Sequence, residues 1–119
     1  SPSSYDDIVL PHLEEEEFRR LLGPLRADVM CGGHVHLQFI RRYGDTVFVN
    51  PGSVGLSYDH AQEGDVMRAD AFATYARIES GDDRLEVAFR RVPFDRAAVL
   101  DAIEASGMPH ADERAAIWR

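Results

Sequence analysis

Between residues 14 and 25, "EEEEFRRLLGPL", the apolar residues Phe18, Leu21, Leu22 and Leu25 recur at intervals of three and four. That spacing predicts a helix with one apolar stripe, and its first turn is acidic, where the helix dipole favours negative charge. Gly23-Pro24 ends it. From Asp28 the pattern changes to short extended runs: "DVMC", "HLQFIRRY", a Gly44-Asp45 turn and "TVFVN" up to Pro51. These predict a hairpin with a lead-in strand. Residues 56 to 70 carry no clean period and read as a loop. A second hairpin comes next, "AFATYARIES" and "RLEVAFRRV" about Gly81-Asp82-Asp83. In its second arm Leu85, Val87 and Phe89 alternate with Glu86, Ala88 and Arg90, the pattern of a half-buried strand. Pro93 stops the sheet, and Asp95 is placed to cap a helix running to about Ser106, with Val99, Leu100 and Ile103 toward the core. Gly107-Met108-Pro109 closes that helix. The first dozen residues show neither a capping nor a strand signal, as if the chain entered its fold midway.

At 119 residues, 45% apolar and 29% charged, the chain has the size and composition of one compact domain. No run is apolar for long enough to span a bilayer, and "SPSSYDD" lacks the basic and apolar regions of a signal peptide, so a soluble, cytoplasmic chain without a membrane partner is expected. The single Cys31 can form no internal disulfide and no thiol-based zinc cluster; within its apolar run it reads as a small buried residue. The net charge of −8 disfavours an extended nucleic-acid surface but leaves room for a phosphate ester held at a metal. All 13 cationic residues are arginines, a compositional bias rather than a functional signal.

The candidate chemistry lies in "CGGHVH". In extended backbone, side chains two apart project to the same side, so His34 and His36 are expected to face one point beyond the strand "DVMC". Adjacent glycines let the backbone turn sharply there, and neutral imidazole is a common ligand for transition metals. An isolated His-x-His is nevertheless weak, because two histidines meeting in a loop is the commoner case. Other candidates favour bland readings. Glu14 to Glu17 point in different directions at a helix start, and His12, His60 and His110 are isolated and read as surface or loop histidines. Asp59-His60 has reach to a substrate as its lesser reading, because its loop follows the Asn50-Pro51-Gly52-Ser53 turn. Asn50 and Ser53 are candidates for touching phosphate or bracing a metal ligand, although turn chemistry accounts for them, with Pro fixing one dihedral and Gly permitting a positive one. Arg41-Arg42 and Arg90-Arg91 each place one arginine on either face of a strand, where an aliphatic stem can cover the sheet.

The run from Ala27 to Gly55, with its apolar strand, Gly33-His34-Val35-His36, short hairpin and Asn50-Pro51-Gly52-Ser53-Val54-Gly55, resembles the last signature of calcineurin-like metallophosphoesterases, in particular their small bacterial phosphodiesterase-like branch. "FATYARIES" and "RLEVAFRRVPFDRAAVLDAIEASGMP" resemble that branch's closing hairpin and helix, and "SPSSYDDIVLP" resembles the segment after its His-Gly motif. Val35 stands where Thr is usual, Gly32 precedes the motif glycine, and Phe94 stands where Tyr is common. The resemblance implies an α/β fold: the C-terminal part of a four-layer αββα two-sheet sandwich, forming a single domain over residues 1–119 whose N-terminal half is absent. It also implies two divalent metal ions (Mn, Fe, Ni or Zn), with His34 on one and His36 on the other; Gly33, Asn50, Ser53 and His60 are the residues expected to touch substrate or to back the metal ligands. The family's Asp-x-His, Gly-Asp-x-x-Asp and Gly-Asn-His motifs are not in this sequence. Ligand counting agrees, since a catalytic metal usually takes about three protein ligands and two imidazoles cannot complete two ions.

The expected function is therefore two-metal hydrolysis of a phosphate ester, phosphodiester or phosphomonoester. The missing N-terminal half would act as partner, and the chain alone would be inactive. Two other classes stay open. One is a non-catalytic protein-interaction scaffold on the same fold, as in a membrane-sorting complex subunit that resembles these enzymes. The other is a metal-binding module completed by a second copy. Retention of both imidazoles favours the enzyme.

Overall fold

The structure is a computed structural model that describes residues 7–64 and 67–119; what was expected of residues 1–6, 65 and 66 lies outside it. The order of elements is α1 (Glu15–Leu22), β1 (Val29–Cys31), β2 (Gln38–Tyr43), β3 (Thr46–Pro51), β4 (Phe72–Gly81), β5 (Arg84–Pro93), α2 (Arg96–Ala105) and α3 (Ala111–Ala116). The expected α/β class, with two sheets and flanking helices, is what the chain adopts. One sheet has the order β1-β3-β2, with β1 parallel and β2 antiparallel to β3; the other is the β4-β5 hairpin.

Helix α1 buries Phe18, Leu21 and Leu22 against Met30 and Phe48 of the three-stranded sheet, and this cluster is the main core. Phe18 is fully buried and meets Tyr43 and Phe48 edge-on, with centroids 5.9 and 6.1 Å apart, while Phe39 stacks on Phe48 at 5.7 Å. Arg41 lays its guanidinium over the Phe18 ring at 4.3 Å, closing the rim as its long stem allows. Gly32 is needed here for space: a Cβ would lie 2.4 Å from the Phe48 ring. That gives a packing reason for the extra glycine of the "CGGHVH" run.

Several expectations need correction. Leu25 is exposed, because the helix stops at Leu22 and the stripe loses its register. Cys31 is exposed rather than buried: Met30 faces α1, so its neighbour takes the opposite side of a three-residue strand, which little covers among the described residues. The second strand begins at Gln38, leaving His36 in the loop. Asp95 does cap α2, its carboxylate accepting from the Ala97 amide at 2.9 Å, but Val99, Leu100 and Ile103 are only half-buried. Helix α3 lacks a readable period because its six residues, "ADERAA", span under two turns. It docks through Ala115, through Trp118 against Phe94 at 5.7 Å, and through the Ile117 carbonyl, which accepts from the Ala69 amide at 2.7 Å.

Phe18→Ala should lower the unfolding free energy by about 3–5 kcal/mol, since the neighbouring rings are fixed on rigid strands and cannot collapse into the space. Denaturant titration of the two chains would measure it.

Candidate metal centre

The two histidines sit in the loop joining β1 to β2, and each adopts a backbone that few non-glycine residues tolerate: φ is +73° at His34 and +55° at His36. The extended geometry expected for them is therefore overturned. The Val35 amide donates back to the Gly33 carbonyl at 2.9 Å, forming a tight three-residue turn centred on His34. The two rings consequently open onto different clefts. His36 lines one of about 330 Å3 with Gln38, Tyr58, Asp70 and Arg91, while His34 lines one of about 410 Å3 with Ile8, Leu25, Cys31 and Phe48.

Strained turns persist only when their surroundings over-determine them, and here the constraint comes from the Asn-Pro-Gly-Ser turn at the end of β3. Asn50 is fully buried. Its amide nitrogen donates to the Gly33 carbonyl at 2.9 Å, and its amide oxygen accepts from the Gly52 backbone at 3.0 Å. Both ends of its amide are thus spent on backbone, which leaves it the turn role favoured over phosphate contact. Ser53 is likewise committed: its hydroxyl accepts from the Leu56 amide at 3.0 Å, and its carbonyl accepts from the Thr74 amide and hydroxyl, both at 2.9 Å. Thr74 is a buried polar residue in β4, and through it the turn is pinned to the second sheet. Gly52 has φ +84°, and a Cβ there would sit 2.2 Å from the Thr74 hydroxyl, so glycine is required twice over. Gly33 differs, since a Cβ there would meet nothing within 4 Å.

The His36 ring is held from behind. Its Nδ1 lies 2.7 Å from the Leu56 carbonyl, and a carbonyl only accepts, so Nδ1 carries the proton and Nε2 keeps its lone pair. This is the arrangement that prepares an imidazole as a metal ligand. His60 places its Nε2 2.7 Å from the Val35 carbonyl and stacks on Tyr58, with centroids 4.5 Å apart. Tyr58 in turn meets the His36 ring edge-on at 5.9 Å. The aromatic Tyr58 and the buried Thr74 have no signal in the sequence beyond their place in "LSYDH" and "FATY".

The donor chemistry therefore fits a metal, but only in part. His36 offers an oriented lone pair and His34 an exposed ring, yet among the described residues no group of three or more His, Cys, Asp and Glu side chains converges. The remaining candidates take local roles. Glu14 to Glu17 are exposed, with Glu15 and Glu17 pairing with Arg41 and Arg20 at 3.4 and 3.8 Å, and His110 begins α3 beside Glu113 at 3.2 Å. Arg91 lies over Phe72 at 5.0 Å.

A parallel strand leads into a glycine-histidine turn, locked from beneath by an Asn-Pro-Gly-Ser turn, which mounts a histidine-bearing loop on an α/β sheet. The model of the calcineurin-like phosphoesterase superfamily domain matches residues 6–73, and the chain belongs to that family. No curated protein matches it. Among solved structures it is similar to zinc-complexed wild-type Vps29 from Entamoeba histolytica, with 22% identity and a TM-score of 0.38 over 67% of this chain and 45% of that one. A double mutant of the same protein shows 23% identity and a TM-score of 0.41, with 73% and 51% covered. Vacuolar protein sorting 29 from Cryptosporidium parvum shows 18% and 0.34, with 66% and 42% covered. The chain spans about half the length of the structures it matches. Among the described residues no helix is long and apolar enough to cross a membrane.

Two substitutions separate the glycines. Gly52→Ala should destabilise the chain by about 1–3 kcal/mol, from strain at a positive φ plus the clash with Thr74, whereas Gly33→Ala should stay within about 0.5 kcal/mol. Asn50→Ala should cost about 1–3 kcal/mol by leaving the Gly52 amide without its acceptor. Chemical denaturation midpoints would rank the three.

Proposed function

We propose that this chain forms the His-bearing part of a metal-dependent phosphoesterase, with His34 and His36 as ligands and the other ligands supplied by sequence outside these 119 residues. The observation that carries the reading is the His36 ring, whose Nδ1 proton is spent on the Leu56 carbonyl at 2.7 Å so that Nε2 keeps its lone pair. Divalent metal bound at such a centre supplies Lewis acidity at the phosphoryl oxygens and a nucleophile at neutral pH. The residues of this chain have narrower tasks. His34 and His36 would hold the metals, and neither would serve as a general base, because each lone pair would be given to a metal. Asn50 and Ser53 hold the loop that holds them, and Gly33 keeps the approach to it open. Imidazole accepts Mn, Fe, Ni or Zn, and two such ions are the family's usual complement.

A partner-binding role without catalysis would not need an imidazole whose tautomer is set. Hydrolysis of a model phosphodiester in the presence of Mn2+ or Zn2+ discriminates the two. The chain by itself should give no turnover, and appreciable turnover by a pure sample would overturn the ligand count. In a protein that joins this chain to the family's upstream ligands, His34→Ala or His36→Ala should lower the rate by at least about 100-fold. A wild-type protein of that kind that bound partners but never hydrolysed ester would establish the scaffold instead.

A further inference from the structure

We infer that the segment from Leu56 to His60 is a clamp that sets the tautomer and ring orientation of His36, making Tyr58 and His60 positioning residues; the metal part of this inference rests on the function proposed above. The contacts form a closed circuit. The Leu56 carbonyl takes the Nδ1 proton of His36 at 2.7 Å, Tyr58 packs its ring against the His36 ring at 5.9 Å, and His60 stacks on Tyr58 at 4.5 Å. His60 then donates from Nε2 to the carbonyl of Val35 at 2.7 Å, so the circuit returns to the backbone immediately before His36.

Two features separate this from ordinary loop packing. The first is that the clamp holds something that would otherwise relax, since His36 sits at φ +55°, a conformation disfavoured for a residue with a Cβ. The second is that the segment does not need His60 for its own shape. At one end Leu56 and Ser57 bond to Ser53 at 3.0 Å each, and the Ser57 carbonyl accepts from the Asp70 amide at 2.7 Å. At the other, the Asp59 carboxylate accepts from the Ala61 backbone amide at 2.8 Å, and the Gln62 side-chain Nε2 donates back to the Asp59 carbonyl at 2.8 Å. His60 itself is exposed and adds nothing to the core. Its two contacts are both directed at the histidine loop, one to backbone and one through Tyr58. No hydrogen bond from the Tyr58 hydroxyl enters the circuit, so its ring alone is required.

The test combines long-range proton–nitrogen NMR of the His36 imidazole in the metal-free chain with calorimetric titration of Zn2+. Wild type and Tyr58→Phe should show the proton on Nδ1 and the same Zn2+ affinity. Tyr58→Ala and His60→Ala should mix the His36 tautomers and weaken Zn2+ binding about 10-fold, with thermal melting nearly unchanged. His60→Gln, which keeps a donor for the Val35 carbonyl but not the stack, should fall between. An unaltered His36 nitrogen spectrum in both alanine variants would overturn the clamp, whatever happens to affinity. If His36→Ala leaves Zn2+ binding untouched, the ligand assignment fails instead, and the tautomer readout still decides the clamp. Should either alanine variant unfold, His60→Gln supplies the comparison, and a wild-type spectrum there together with wild-type affinity would also overturn it.

Discussion

The turn that opens the histidine loop depends on one buried side-chain amide. Asn50 lies at the end of β3, with no exposed surface, and bonds through its nitrogen to Gly33 and through its oxygen to Gly52. A buried amide must satisfy both ends or lose the solvation it gave up, and here each end closes a different turn. Because β3 is the central strand, paired on both sides, the amide is carried by the most rigid part of the sheet. The histidine loop inherits that rigidity. Gly33 is fixed on one side by Asn50 and the Val35 carbonyl is held on the other by His60, and between them His34 and His36 are kept at positive φ, where unconstrained backbone would not stay.

The second sheet contributes through polar contacts rather than a continuous apolar layer. Thr74 in β4 receives the Ser53 amide at 2.6 Å and returns its hydroxyl proton to the Ser53 carbonyl. Gln38 in β2 donates to the Tyr75 and Arg90 carbonyls, at 3.1 Å each. Hydrogen bonds of this kind contribute modestly to stability but are directional, and direction is what a ligand site requires. The apolar core lies elsewhere, under α1, where Phe18 and Phe48 fix how the three-stranded sheet packs. Stability and site geometry are thus carried by different parts of β3: Phe48 points into the core, while Asn50 ties the loop.

Much of this is legible in the sequence. The stripe of Phe18, Leu21 and Leu22, the two hairpins with their Gly44-Asp45 and Asp82-Asp83 turns, and the Asp95 cap all come from local rules of period, turn chemistry and capping, and local rules act within a few residues. The elements that escape are those decided by distant partners. Leu25 and Cys31 read as apolar but are exposed, because the helix ends early and one side of the short β1 strand has little cover among the described residues. The histidine backbone reads as extended because His-Val-His alternates, yet a bond from a residue 17 positions away folds it into the left-handed region.

From its sequence alone, then, the chain determined its family and the residue types gathered in the histidine loop. Two imidazoles behind two glycines, with Asn-Pro-Gly-Ser after them, mark the calcineurin-like phosphoesterase family, because side-chain chemistry and turn preference belong to each residue wherever it sits. Only the tertiary structure decided how those residues are aimed. Which nitrogen of His36 bears the proton, why Asn50 faces inward, and that His60 lies against the histidine loop are all set by contacts between residues 17 to 25 positions apart. No local propensity encodes such pairings; they exist only once the strands have brought the loops together.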